Sequence, residues 1–511
     1  MKYTEYMALN PLQRFWYNFK NFIVSIPRGI GNFFKAIGNG IVNFFKGLGK
    51  GITEFVMGFI RGDIFTKISY FIMGFGNICR GQVIKGIMFL LIEVGYIFFM
   101  VFFGADYLSM FTTLRAVRGE PVETILPGGK VDVRPGEIEV YSYQILLFGI
   151  LAILVTVAFI ALYFVSTKSA RTVDAMVKNG EKVPKFRDEL KDLLDSKFHA
   201  TLLATPIVLI CVFVLLPLLF MIVMAFTGFS GAEKSYVDFG WVGFQQFAEI
   251  FKTSETGASM GSTFAKVTGW TLIWAVCATF SNYILGMVIA LMINKKGIKL
   301  KKLWRTMFVM TVAVPQFVTL LLMAQILGPY DYSPMNLIFA KLFGSTEAID
   351  FLGSTVNNGL LPRIMVIVVN CWVGIPYTIL MTSGILMNIP EDLYESARID
   401  GAGPVKSFTK ITLPYMLFVT TPYLITQFIG NVNNFNVIFL LTNGGPVNNL
   451  QYRKGMGHTD LLITLLYKLS INDKLYGMGA AIGILVFIVC ATLSLVTFNM
   501  TKSAKNEEEF S

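Results

Sequence analysis

Two sets of polar side chains interrupt stretches that are otherwise apolar. Asn370, Gly374 and Tyr377 recur at i, i+4 and i+7, and so do Gln427, Asn431 and Asn434. On a helix each set falls on one face. Polar groups are costly in hydrocarbon, so such faces turn toward a bundle interior or a cavity. An amide both donates and accepts hydrogen bonds, and an aromatic ring covers the C–H face of a pyranose, so the combination suits a neutral, hydroxyl-rich ligand. The same amides could instead hold neighbouring helices together, and residue types alone leave both readings open. No carboxylate pair or cationic cluster accompanies them, which argues against an anionic substrate. Catalytic constellations are missing from the pattern. The five cysteines show no CxxC or CxxH spacing, the histidines are His199 and His458, and neither a metal site nor a cysteine nucleophile is expected. The glycine-rich run from Gly47 to Thr53 departs from the phosphate-loop spacing, with Gly51 where Ser or Thr is required, so ATP chemistry must belong to another chain.

The elements that must position these residues are membrane helices. Hydrophobic residues make up 54% of the 511, and charged residues 15%, against about a quarter in a soluble chain. The apolar content gathers into blocks long enough to cross about 30 Å of hydrocarbon. Eight spans are expected, at 85–105, 143–166, 200–227, 267–293, 304–328, 362–388, 413–441 and 479–500, giving an all-α polytopic membrane protein. The segments sharing a side with the N-terminus carry 30 of the 43 Lys and Arg, counting Lys85 and Arg305 at the span edges. The positive-inside rule places that side, with both termini, in the cytoplasm. The net charge of +11 is thus an orientation signal facing anionic lipid, and nucleic acid is not expected as a partner. Around Val131 the first outer loop alternates like a small hairpin. Residues 1–84 form a cytoplasmic or interfacial region in which Asn32-Phe-Phe-Lys35 recurs as Asn43-Phe-Phe-Lys46. Eleven residues are three helical turns, so an amphipathic segment lying in the interface is expected there. Residues 64–78 are apolar but short for a span. Peripheral spans are expected over 85–266, a core of five spans over 267–500, and a cytoplasmic tail over 501–511.

Between spans six and seven the stretch 389–414 reads as helix, break, helix. Asn388 is expected to cap a short helix near 390–400, with Pro390 in its first turn and Glu391 and Asp392 at the positive end of its dipole. Gly401 and Gly403 supply the turn, and Pro404 starts the next helix. This stretch resembles the coupling loop of ABC importer permeases, in Glu395-Ser396-Ala397, Asp400-Gly401-Ala402 and Ile411-Thr412-Leu413-Pro414, with Ser396 replacing the usual alanine. From span six onward the chain is similar to the larger permease of the maltose and maltodextrin importers, in Asn370-Cys-Trp-Val-Gly-Ile-Pro-Tyr377, in Asn433 through Pro446, and in Thr459-Asp-Leu-Leu-Ile-Thr followed by Tyr467-Lys.

The resemblance implies a type I importer transmembrane fold and a role in carrying maltodextrin-type oligosaccharides across the cytoplasmic membrane. It implies partnership with a second, smaller permease, with two ATPase subunits holding ATP and Mg, and with an extracellular solute-binding protein. It implies no cofactor in this chain. Sugar contacts carried over by motif position fall on Asn370, Val373, Gly374, Tyr377, Gln427, Gly430, Asn431 and Asn434. Gln427 and Gly430 stand where the maltose-type site has a serine and an aromatic. ATPase docking falls on Glu395, Ser396, Ala397, Asp400, Gly401 and Ala402. The short segment between spans three and four resembles the Gram-positive type. The same architecture could serve galacto-oligosaccharides. An ion-coupled transporter would need ionisable residues within the spans, and the one mid-span carboxylate, Glu93, stands alone.

Overall fold

A computed structural model describes residues 51–125, 131–196, 198–231, 237–252, 258–295, 297–344, 347–453 and 455–500, with scattered residues of 31–49. Most of the phenylalanine repeat and the tail 501–511 lie outside the described residues. Six helices are long and apolar enough to cross a membrane, and up to eight if two bent pairs each count as one span. The described chain divides into two compact units.

One unit covers Lys35–Gln246 with Lys474–Ala481. Short helices α1 (Ile64–Ile68) and α2 (Phe75–Cys79) precede α3 (Val83–Phe111). Neither short helix can span, and both pack against α4 (Ser142–Lys178). The buried Arg80 guanidinium holds them there, pairing with Asp63 and, at 3.2 Å, with Asp174. Glu93 serves the same segment: its Oε2 accepts from the Met73 N–H at 2.8 Å. A carboxylate tied in this way is a structural tether. After α3 comes the expected hairpin, β2 (Val122–Ile125) against β3 (Val131–Arg134), antiparallel with Val122 opposite Arg134. A second pair, β1 (Val117–Arg118) with β4 (Ile138–Val140), encloses it in sequence. Helices α5 (Phe186–Leu194) and α6 (Thr201–Met224) follow. The core of this unit gathers Leu114, Ile145, Leu146, Ile150 and Phe239.

The other unit runs through Phe247–Asp473 and resumes at Ile482. Its elements are α7 (Met260–Asn294), α8 (Lys301–Ala313), α9 (Gln316–Ile326), α10 (Pro334–Phe343), α11 (Val356–Leu386), α12 (Glu391–Ile399), α13 (Pro404–Val432), α14 (Phe435–Leu441), α15 (Leu462–Asn472) and, from Ile482 onward, α16 (Tyr476–Met500). The axis of the unit is α7, which lies along α11 and α13. Close approach is possible because Gly286 sits over Thr378, where a Cβ would meet the threonine side chain. Trp274, Leu320, Val366, Val437 and Leu461 belong to one buried cluster.

Two expected spans are broken. The fifth is not a single helix over 304–328: α8 and α9 meet at 89°. Pro315 offers no N–H and disfavours helical geometry in the residue before it, and Val314 is accordingly extended at φ −75° and ψ 125°. The seventh bends by 40° between α13 and α14. There the Asn434 side chain accepts from the Val437 N–H at 3.2 Å and starts a new helix.

Candidate functional site

About halfway along α7 and α11, next to the junction of α13 and α14, a cavity of about 350 Å³ opens. It falls within the range typical of small-molecule sites. Of the eight residues expected to touch ligand, seven line it: Asn370, Val373, Gly374, Tyr377, Gln427, Asn431 and Asn434. Gly430 does not; it is exposed, with open space where a Cβ would stand. Sequence reasoning missed Thr279, Asn282 and Tyr283 of α7, Gln316 at the start of α9, and Tyr423. Every lining residue is uncharged.

The lining amides divide by what they already bond. Asn431 donates through Nδ2 to Thr279 Oγ1 at 3.0 Å and accepts at Oδ1 from Asn434 Nδ2 at 3.3 Å. Its backbone oxygen accepts from Trp274 Nε1 at 3.0 Å. Asn434 is equally committed, since its own Oδ1 caps α14. These two therefore fasten the helix break to α7. Asn370 and Asn282 are different. Asn370 Nδ2 and Asn282 Oδ1 are buried without a hydrogen-bond partner. An orphaned polar atom in a low-dielectric interior is costly, and here one donor and one acceptor face the same cavity. Gly374 lets Asn282 lie against α11, because a Cβ there would overlap the Asn282 amide.

Beyond the C-terminal end of α11 lies α12. The expected cap at Asn388 is not used: Pro390, extended at ψ 132°, precedes the first helical residue, Glu391, and no side chain caps the helix. Proline has no N–H to be satisfied and presets the entry angle. The other end follows the expected turn. Gly401 is left-handed at φ 73°. The Ala402 N–H bonds the Ala397 oxygen at 2.8 Å and the Gly401 N–H bonds the Arg398 oxygen at 3.0 Å, the two-bond closure that glycine permits. Glu395, Ser396, Asp400 and Gly401 are exposed, and Ala397 and Ala402 half-exposed. Beside them Ile399 and Val405 stand 87% and 76% exposed, an apolar edge left uncovered among the described residues of this unit. Tyr394 turns inward, its hydroxyl 2.9 Å from Thr412 Oγ1. A π-turn over Phe408–Thr412 leads into Leu413 and Pro414.

At the opposite end the connection from α14 to α15 folds over the first turns of α7 and α11. Asp460 is fully buried and pairs with Lys468 Nζ at 2.7 Å. Its carboxylate also accepts from the Gly457 N–H and from Thr464 Oγ1, both at 2.8 Å. Arg363 of α11 donates through Nε to the His458 oxygen at 2.9 Å and stacks on Trp270 of α7.

An apolar helical bundle with an uncharged polar cavity at mid-depth and an uncovered short helix at one end defines a membrane transport subunit. The family of binding-protein-dependent transport system inner membrane components matches residues 282–502. The maltodextrin permease MdxF of Bacillus subtilis is 31% identical over 443 residues, covering 86% of this chain and 95% of that one. The galactooligosaccharide permease GanP of the same organism is 32% identical over 440 residues, covering 85% and 97%. The maltose/maltodextrin permease MalF of Escherichia coli is 32% identical over 263 residues, 51% of this chain and 49% of that protein. The chain belongs to this family, the membrane-spanning permeases of ATP-binding-cassette importers. It is a multi-pass transport component and not an enzyme.

Proposed function

We propose that this chain carries maltodextrin-type oligosaccharides through the cavity between α7, α11 and α13, and that α12 is the handle by which an ATPase subunit moves those helices. The observation that carries the reading is the pair Asn370 and Asn282, a buried donor and a buried acceptor left open on an uncharged cavity. Sugar hydroxyls would satisfy both. Tyr377 and Tyr423 supply ring faces, and Gln427 and Gln316 supply further amides. Asn431 and Asn434 shape the site by holding the helix break. The curated relatives support the sugar class: MdxF and MalF are both maltodextrin permeases, and MdxF matches over nearly its whole length.

A second, smaller permease completes the pathway. Two ATPase subunits bind ATP and Mg, and this chain holds no cofactor. Docking uses Glu395, Ser396, Ala397, Asp400, Gly401 and Ala402. An extracellular binding protein delivers sugar at the end closed by the Asp460 connection. The basic segments support a cytoplasmic side for α12 and both termini. Near-complete coverage of the Bacillus relatives, against half of MalF, supports a Gram-positive source.

The test is ATP hydrolysis by the assembled importer in lipid nanodiscs with its binding protein, across a sugar panel. Maltodextrins should stimulate it above galacto-oligosaccharides and above an uncharged non-sugar solute. Equal rates with and without every sugar would overturn the proposal.

A further inference from the structure

Where α8 and α9 meet at 89°, a second cavity of about 140 Å³ sits beside the first. The two share Gln316, Val373 and Tyr377, so they are neighbouring compartments with a common wall. The smaller one adds Thr311, Val314, Thr319, Trp372 and Pro376. Four observations meet there. Non-helical backbone at membrane depth is tolerated where it lines a cavity or is buried in protein, and Val314 at the break is a lining residue. The first turn of α9 carries no side-chain cap. The side chains of Gln316 and Thr319 bond no other side chain or backbone group among the described residues. Trp372 is 65% exposed at mid-depth, two residues from the buried Asn370, and its indole N–H has no partner among the described residues. An indole in such a place usually finds a hydrogen bond when covered.

We propose that this compartment is an extension subsite, which holds the next sugar units of an oligosaccharide whose first units occupy the main cavity. The inference rests on the sugar-transport reading above. Trp372 provides the platform for a pyranose ring, with Tyr377 at the boundary between compartments. Gln316 and Thr319 receive hydroxyls, and Thr311, whose own hydroxyl donates to the Phe308 oxygen at 2.7 Å, keeps lone pairs for accepting. No charge lies in the lining, so the occupant is neutral, as in the main cavity. The compartment makes the bend of the fifth span a determinant of chain length: a disaccharide fills the main cavity alone, and a longer chain needs both.

The experiment compares wild type with Trp372→Ala, Trp372→Phe and Thr319→Val in the assembled importer, measuring stimulated ATP hydrolysis and uptake along a chain-length series from disaccharide upward. Trp372→Ala should lower the response to longer chains about tenfold, the worth of one aromatic platform, and the disaccharide response less than about twofold. Trp372→Phe should restore most of the loss, and Thr319→Val should show a smaller effect with the same length dependence. Equal losses at every chain length overturn the subsite, as does an unchanged length profile in Trp372→Ala. Loss of the second permease from the purified Trp372→Ala complex makes Trp372 a subunit contact and also overturns it. A wild type that answers to no sugar removes the transport reading itself, which separates that failure from failure of the subsite alone.

Discussion

Replacing Asn370 or Asn282 by leucine should make the sugar-free protein no less stable while silencing it, and the same change at Asn434 should destabilise it. The difference follows from the hydrogen bonds. In the empty cavity Asn370 Nδ2 and Asn282 Oδ1 have no partner, and an unsatisfied buried polar atom costs about 1–3 kcal/mol. Leucine has the same branching at Cγ as asparagine, is bulkier, and has no polar atom to strand; on the open cavity wall each substitution removes a penalty of about that size and adds apolar contact. Asn434 by contrast makes two bonds, donating through Nδ2 to Asn431 Oδ1 and accepting at Oδ1 from the Val437 N–H. Losing the cap costs about 1 kcal/mol and the amide pair about as much again. Asn431 Oδ1 would then lose its donor inside the bundle.

The assay is paired. Melting of the sugar-free assembled complex in nanodiscs gives the sign of the stability change, and sugar-stimulated ATP hydrolysis gives function. Asn370→Leu should melt at or above wild type and lose at least about tenfold in stimulation, since a site built to bond a hydroxyl discriminates strongly. Asn434→Leu should melt lower. If Asn370→Leu melts as low as Asn434→Leu, the orphaned amide is satisfied in a way the geometry does not show. If it keeps its sugar response within about twofold, it is not a ligand contact, and the proposed site fails.

Three further outcomes follow from the two ends of the bundle. Gly401→Ala forces a side chain into left-handed backbone at φ 73°, costing about 1 kcal/mol, and should weaken co-purification of the ATPase while membrane insertion persists; Glu395→Lys should do the same, and a fully coupled Glu395→Lys importer would refute docking at that residue. Asp460→Asn leaves Lys468 charged and buried without its partner, which should destabilise the protein by about 3–5 kcal/mol, read as a lower melting temperature that Asp460→Asn with Lys468→Met partly restores. His458 is 1% exposed with Nδ1 unpartnered, and burial, then the Arg363 and Lys266 cations, hold its pKa below the ordinary 6.5. The unfolded chain therefore binds a proton that the folded one refuses, so stability present above about pH 6.5 should fall as the pH drops below it, and His458→Gln should flatten that slope in melting curves.

The parts of this fold legible in the sequence are those whose signal is local. Spans announce themselves by length and apolarity. The turn after α12 announces itself because left-handed backbone there needs glycine, and Gly401 supplies it. Asn370 and Tyr377 were found because their spacing puts them on one face of a single helix. Asn282 and Gln316 were not, since each is one polar residue in its own helix and gains meaning from what α11 brings opposite. Gly430, carried over by motif position, stands on α13 before the break and does not line the cavity. Pro315 was visible in the middle of the fifth span, and the restriction it places on Val314 could have marked the bend. The apolar pattern on both sides outweighed it, because hydropathy measures what a segment contacts and is blind to where it turns. The same blindness bears on function: a straight fifth span would leave Gln316 as one more amide among leucines, and the bend makes it a wall shared by two cavities. If the extension subsite proposed above holds, substrate length would be set by the bend at Pro315, whose own side chain lines neither cavity.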